Sequence, residues 1–197
     1  MLILVALLAA LWPPLPDGKQ DDVAAVLHRH EKECNQIDSR LCFELGRAYE
    51  DGDGVRASMP AALALYEMAC ENDDGRACMR IGFRHEQGNG AEQDFVRAAI
   101  YYSKACEAGG IPSACAAAGI LVEKIAALHN PRRAAELYDR ACEGRVSASC
   151  LQLARMLEKG RDLPPDPARA NDLRSRACFL GSREACTATA AASRAGH

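Results

Sequence analysis

The chain has few aromatic residues and little net charge. The first shortage argues against a β-sheet protein, and the second argues against a protein that binds nucleic acid or anionic membranes. Aromatic side chains make up 5% of the 197 residues, whereas β-sheets favour aromatic and β-branched residues. The formal net charge is -3, from 24 basic and 27 acidic residues. This balance lacks the basic surface that attracts phosphate backbones or anionic membranes. We therefore expect an all-α protein that does not bind nucleic acid.

The sequence also lacks the short motifs of common catalytic and metal centres. No serine begins the S-x-x-K motif of serine β-lactamases, and S-D-N and K-T-G are absent. No H-E-x-x-H or C-x-x-C motif occurs, so zincin and thioredoxin-like chemistry are not indicated. We predict no catalytic residue, no metal site and no cofactor, and we expect a protein that is not an enzyme.

Residues 1–12 form an uninterrupted apolar run, MLILVALLAALW. The run has the length of a signal-peptide core and is too short to span a bilayer. No Lys or Arg precedes it and no clean Ala-x-Ala cleavage site follows, so a buried N-terminal extension is the alternative. We predict a signal peptide or apolar leader over residues 1–18, no stable membrane span, and a secreted or periplasmic protein.

The ten cysteines recur at a fixed spacing. The first of each pair repeats every 36 residues and the second follows eight or nine residues later: Cys34 and Cys42, Cys70 and Cys78, Cys106 and Cys115, Cys142 and Cys150, Cys178 and Cys186. An even count at regular spacing indicates a disulfide framework in an oxidising compartment. Structural zinc sites use two or four intervening residues, not seven. If the units are equivalent, each first cysteine pairs with the next one along.

Other residues repeat in phase with the cysteines, as a stacked array of helical units requires. Alanine columns recur at Ala62, Ala98, Ala134 and Ala170, and a larger residue follows each at Leu65, Tyr101, Leu137 and Leu173. A column of Ser58, Asp94, Asn130 and Asp166 has the residue types that cap helix N-termini. Each cap opens a helix of about thirteen residues, called helix B, that ends near the first cysteine of a pair.

A shorter helix A starts near the second cysteine of each pair. Gly52, Gly54, Gly88 and Gly90 follow the first two A helices, where positive φ angles let the chain turn. The third unit lacks these glycines, so we expect a different turn there. The sequence predicts one solenoid over residues 19–197, with a capping helix over 19–33, repeats over 34–69, 70–105, 106–141 and 142–177, and a terminal capping helix over 178–194.

The segments LGRAYEDGDGV around Leu45 and IGFRHEQGNG around Ile81, with A-x-x-LY-x-x-AC at Ala62 and Ala134, resemble Sel1-like repeats over residues 34–193. These repeats are helix pairs related to tetratricopeptide repeats. The chain is most similar to the subset with one disulfide in each repeat, known from cysteine-rich Helicobacter proteins. Arg174 departs from the pattern, because the equivalent positions in the earlier repeats are Tyr66, Tyr102 and Tyr138.

The resemblance implies a right-handed α-solenoid whose concave face contacts a protein or peptide. The repeat also occurs in human mitochondrial assembly factors, but the N-terminal apolar run fits a bacterial secreted or periplasmic protein better than one of the intermembrane space. The resemblance also implies an alternative function, β-lactam binding or weak hydrolysis of the β-lactamase type. We expect an exported scaffold that binds a peptide, a protein or a cell-wall component. The predicted binding face consists of exposed A-helix side chains: Glu44, Arg47, Arg80, Arg84, Gln152 and Arg155.

Overall fold

A computed structural model describes residues 39–160 and 163–187. These residues are helical with connecting turns and contain no strand. The chain divides into two compact units between Asn72 and Asp73. The predicted leader over residues 1–18, the capping helix over 19–33, Cys34 and the last part of the terminal helix lie outside the described residues.

Eight α-helices and one 3-10 helix make up the described elements. The first unit contains α1 (Ser39–Asp51) and α2 (Met59–Glu71); the second contains α3 (Gly75–Gln87), α4 (Phe95–Gly109), α5 (Pro112–Lys124), the 3-10 helix (Ala126–Leu128), α6 (Pro131–Glu143), α7 (Ser147–Lys159) and α8 (Pro167–Phe179). Within each unit, each α-helix packs against the next. The odd-numbered helices are the predicted A helices and the even-numbered ones the B helices. The predicted class, an all-α solenoid of helix pairs with about one disulfide per repeat, is confirmed.

Each B helix begins at its predicted cap. The cap side chains accept hydrogen bonds from first-turn amides: Ser58 from Ala61 at 3.4 Å, Asp94 from Arg97 at 2.9 Å, Asn130 from Arg133 at 3.0 Å and Asp166 from Arg169 at 3.0 Å. Pro131 and Pro167 are the first residues of their helices, where a missing amide proton costs nothing. Such caps contribute about 1 kcal/mol each, so the sequence sets these helix starts locally.

The turns from A to B helices also follow the predicted pattern. Gly52, Gly54, Gly88 and Gly90 have φ angles of 73°, 72°, 68° and 83°. After α5, where these glycines are missing, the chain leaves the helix through Ile125 with an extended φ of -83° and forms the 3-10 helix. The different turn expected in the third repeat is therefore confirmed.

Three of the predicted cysteine pairs are bridged within the second unit. They are Cys106 with Cys115, Cys142 with Cys150 and Cys178 with Cys186, with Cα–Cα distances of 4.7, 4.7 and 4.6 Å. Cys42, Cys70 and Cys78 are also disulfide-bonded, and no cysteine of the described part is free. Each of the three bridges joins the end of a B helix to the start of the A helix that follows.

The turn from a B helix to the next A helix contains a left-handed residue. Gly110 and Gly181 occupy this position with φ angles of 56° and 93°, whereas Arg145 occupies it with a φ angle of 71°. A side chain in the left-handed region costs about 1 kcal/mol. Arg145 therefore carries backbone strain that glycine avoids.

Replacing Arg145 with glycine is expected to raise the free energy of unfolding by about 0.5 kcal/mol, because relief of strain exceeds the added entropy of the unfolded chain. Urea denaturation followed by circular dichroism measures the change. Gly110→Ala is the matched control: nothing lies within 4 Å of a Cβ there, so only backbone strain is added and stability should fall. A destabilised Arg145→Gly variant would contradict this account of the turn.

Candidate functional site

The A helices carry glycines that receive tyrosine rings from the following B helices. A Cβ atom on Gly46, Gly82 or Gly119 would lie 2.7, 2.8 or 2.9 Å from a ring carbon of Tyr66, Tyr102 or Tyr138, respectively. The three rings are 0 to 3% exposed. The glycines are therefore required by the close approach of the rings.

The same tyrosines position a row of carboxylates on the A helices. The hydroxyls of Tyr66, Tyr102 and Tyr138 donate hydrogen bonds to Glu50 at 2.6 Å, Glu86 at 2.7 Å and Glu123 at 2.7 Å. Each glutamate stands four residues after its glycine and is half-buried. A buried ring with a hydrogen-bonded hydroxyl thus fixes where each carboxylate lies.

The fourth repeat replaces both partners of this contact. Ala154 stands where the earlier A helices have glycine, and Arg174 stands in the tyrosine column. Arg174 forms an ion pair with Glu158, the glutamate of that repeat. The ion pair between Arg174 and Glu158 therefore replaces the hydrogen bond between tyrosine and glutamate that links the two helices in the earlier repeats. Because no tyrosine ring is present, the methyl group of Ala154 fits against the B helix.

Burial raises the pKa of Tyr102 and Tyr138 well above the ordinary value of 10.0, and the hydrogen bonds and negative charges of Glu86 and Glu123 raise it further. In the unfolded chain these hydroxyls ionise near pH 10. Above that pH the folded state binds more protons than the unfolded state, so the free energy of unfolding falls as pH rises.

Urea denaturation between pH 9 and pH 11.5 is expected to show this loss of stability. The Tyr138→Phe variant is the control, because it removes one of the two raised hydroxyls and should lose less stability over the same range. Identical pH dependence of the variant and the original protein would contradict the assignment to these tyrosines.

Five of the six residues of the predicted binding face are exposed or half-buried. In the first unit, Glu44 and Arg47 are exposed and lie 3.5 Å apart as an ion pair. In the second unit, Arg80, Gln152 and Arg155 are half-buried. These positions are the second and fifth residues after the second cysteine of each pair.

Gln152 and Arg155 belong to a polar network on the second unit. The Gln152 amide donates to both carboxylate oxygens of Glu123, at 2.8 and 2.9 Å. Arg155 donates to Gln152 at 3.4 Å and pairs with Glu184. The network links α5, α7 and the helical residues that follow α8, so these side chains are held in place by their neighbours.

The prediction that Arg84 is exposed is wrong. Arg84 is 9% exposed because it is the sixth residue after Cys78, one step around the helix from the exposed fifth position. Leu121 occupies the same register in α5 and is also buried, at 6%. Arg84 therefore does not belong to the exposed A-helix face.

The exposed A-helix face also contains two apolar residues that were not predicted from the sequence. Phe83 and Ile120 are the fifth residues after Cys78 and Cys115, and they are 44% and 43% exposed. Apolar residues on an amphipathic helix normally indicate the core, so sequence alone gave no reason to place them outside. The shared register with Arg47 and Arg155 is the signal that could have located them.

The polar side chains of residues 39–160 and 163–187 form no metal-binding cluster. These residues contain no group of three or more His, Cys, Asp or Glu residues that could hold a metal ion. His85 packs rather than reacts, since its Nδ1 lies 3.0 Å from the Glu92 carbonyl and its ring stacks on Tyr101 at 5.9 Å. An open cleft of about 480 Å³ on the B helices is charged and lined by Glu107, Arg133, Glu136, Asp139, Arg140 and Glu143. Ion pairs of Arg133 with Glu107 and Glu136 already occupy part of it.

None of the helices in the described ranges is both long enough and apolar enough to cross a membrane.

Comparison with known proteins identifies the repeat. The family model of the Sel1 repeat matches residues 39–74, 75–110, 114–145 and 147–182. These matches begin at or just inside the A helices. No curated protein sequence matches the chain significantly.

Several solved structures are similar to the chain. A Sel1 repeat protein from Oxalobacter formigenes is 25% identical, with a TM-score of 0.63 over 86% of this chain and 70% of that one. A protective antigen of uropathogenic Escherichia coli with an SLR fold is 20% identical, with a TM-score of 0.64 over 85% of this chain. The chain spans 35% of that antigen's length. Cysteine-rich protein B of Helicobacter pylori is 21% identical over 85% of this chain, but its TM-score of 0.28 is too low to bear on shape.

Proposed function

Because the chain belongs to the Sel1 repeat family, we propose that it is a disulfide-stabilised scaffold that binds a protein or peptide through the exposed face of its A helices. Stacked helical repeats bury their core between neighbouring units and leave an extended surface that suits binding. The described residues assemble no metal-binding cluster. The β-lactam and cell-wall alternatives have no observation in their favour among these residues.

The observation that carries the proposal is the exposure of Phe83 and Ile120 in one register of adjacent repeats. Exposed apolar side chains next to ordered polar groups are typical of surfaces that bind proteins. The A-helix surface of the second unit contains both. The polar network consists of Glu123, Gln152 and Arg155, and its Glu123 is three residues after Ile120 on α5. The network is ordered before binding, which lowers the entropy cost of association.

We extend the proposal to an oxidising compartment outside the bacterial cytoplasm. Disulfides persist in exported proteins and are rare where thioredoxin and glutathione keep thiols reduced. The three bridges of the second unit support this location. Peptide mapping without reductant, on protein isolated from its native compartment, should recover all five sequential pairs. Free thiols in that protein would contradict the proposed location.

Affinity capture tests the binding function. The immobilised disulfide-bonded protein should retain a partner from an extract of its native compartment, and Arg155→Glu should weaken that retention because it removes the contacts with Gln152 and Glu184 that order the A-helix face. Arg132→Glu is the matched control, since Arg132 is an exposed arginine on the B helix α6. Retention that is lost equally in both variants, or that is absent from the original protein, would refute the proposal.

A further inference from the structure

The carboxylates of Glu86 and Glu123 lie in equivalent positions but have different numbers of hydrogen-bond donors. Both are eight residues after the second cysteine of their repeat, and both accept from the tyrosine of the following B helix. Glu123 also accepts two hydrogen bonds from the Gln152 amide. Among the described residues, the side chain of Glu86 has the Tyr102 hydroxyl as its donor.

The missing donor at Glu86 has a direct cause in the sequence. Gln152 is the second residue after Cys150, and the second residue after Cys115 is Ala117. The α3 and α5 helices are neighbours, since the Ser113 hydroxyl lies 3.8 Å from the Met79 sulfur. By the equivalence of the repeats, a methyl group takes the position relative to Glu86 that the Gln152 amide takes relative to Glu123. We call this position without an amide donor the gap.

Exposed apolar side chains flank this gap. Phe83 precedes Glu86 by three residues on α3, and Ile120 follows Ala117 by three residues on α5, so each pair lies on one face of its helix. Phe83 and Ile120 are 44% and 43% exposed. In the next repeat the equivalent position is Arg155, which is tied to Gln152 and Glu184. The exposed apolar side chains therefore occur in the same two repeats as the carboxylate that has no amide donor.

We infer that this gap, formed by Phe83, Glu86, Ala117 and Ile120, is the binding site for a protein segment that presents a Lys or Arg beside a large apolar residue. The inference rests on the proposed binding function and names its site and ligand chemistry. A cationic donor fits because a charge-assisted hydrogen bond to a carboxylate is stronger than a neutral one. The ligand donates to Glu86 as Gln152 donates to Glu123, and its apolar side chain covers Phe83 and Ile120.

Fluorescence anisotropy with labelled nine-residue peptides tests this site. The peptides have the same flanks of mixed Gly and Ser residues and differ only in a central pair, which is Leu-Lys, Leu-Gln or Leu-Glu. We expect Leu-Lys peptides to bind about tenfold more tightly than Leu-Glu peptides, the difference that corresponds to one charge-assisted hydrogen bond. Ala117→Gln should weaken Leu-Lys binding about tenfold, because the new amide donates to Glu86 in place of the ligand.

Two further variants define the outcome. Glu86→Gln should abolish the preference for Leu-Lys while keeping an acceptor for Tyr102, and Ile100→Ser should change nothing, because Ile100 is 50% exposed on the B helix α4. Binding that is unaffected by Ala117→Gln and Glu86→Gln would overturn this site and leave the scaffold proposal standing. Absence of binding by every peptide would also overturn it, while the capture experiment judges the scaffold proposal separately.

Discussion

Reduction of the disulfides is expected to unfold the protein at 25 °C. The bridges of the second unit close loops of eight or nine residues, and each such loop restricts the unfolded chain by about 2.5 kcal/mol. Three bridges therefore contribute on the order of 7 kcal/mol, which is comparable to the whole stability of a domain. Far-ultraviolet circular dichroism before and after reductant measures the loss of helix.

A single-bridge variant gives the size of one contribution. Replacing Cys142 and Cys150 together with alanine is expected to lower the free energy of unfolding by about 3 kcal/mol, since both sulfurs are buried and a small cavity adds to the loss of cross-linking. After reduction both proteins should lose their helix content, because the remaining bridges are then broken in both. Helix content and stability that are unchanged by reductant would show that packing, not cross-linking, stabilises the repeats.

Replacing Gly119 with alanine is expected to lower the free energy of unfolding by about 2 kcal/mol. The added methyl group would lie 2.9 Å from the Tyr138 ring, and overpacking a buried contact of this kind costs about 1 to 3 kcal/mol. The ring has little freedom to move, because its hydroxyl is hydrogen-bonded to Glu123 at 2.7 Å. Urea denaturation measures the loss.

The fourth repeat supplies the control for this contact, since it combines Ala154 with Arg174. In a double-mutant cycle, Gly119→Ala should cost at least about 1 kcal/mol less when Tyr138 is already arginine, because no ring remains to be displaced. Ala154→Gly should lower stability by about 1 kcal/mol, the ordinary helix penalty of glycine. Strictly additive costs of Gly119→Ala and Tyr138→Arg would exclude a direct clash between the methyl group and the ring.

Local signals accounted for the helix boundaries. Ser58, Asp94, Asn130 and Asp166 were recognisable as caps because a cap bonds to amides two or three residues away, and the structure starts the B helices there. The turns at Gly52, Gly54, Gly88 and Gly90 were predictable for the same reason, because a positive φ angle is a local property of the backbone. Their repetition every 36 residues made the fold class predictable as well, because identical units must stack in the same way.

The contacts that shape the candidate site were not predictable in this way. The bonds from Tyr102 to Glu86 and from Tyr138 to Glu123 join residues 16 and 15 apart on different helices, and no local rule fixes that pairing. The error at Arg84 has a related cause. One position around a helix separates an exposed residue from a buried one, and charge was an unreliable guide to which was which.

Site-specific photo-crosslinking tests the central claim, that the A-helix face binds a protein partner. A photoreactive benzoylphenylalanine replaces Ile120 on the A helix α5 or, as the matched control, the similarly exposed Ile100 on the B helix α4. Irradiation of the disulfide-bonded protein in its native compartment should yield a crosslinked partner from position 120 and little from position 100. Equal crosslinking at both positions, or crosslinking from position 100 alone, would contradict the claim.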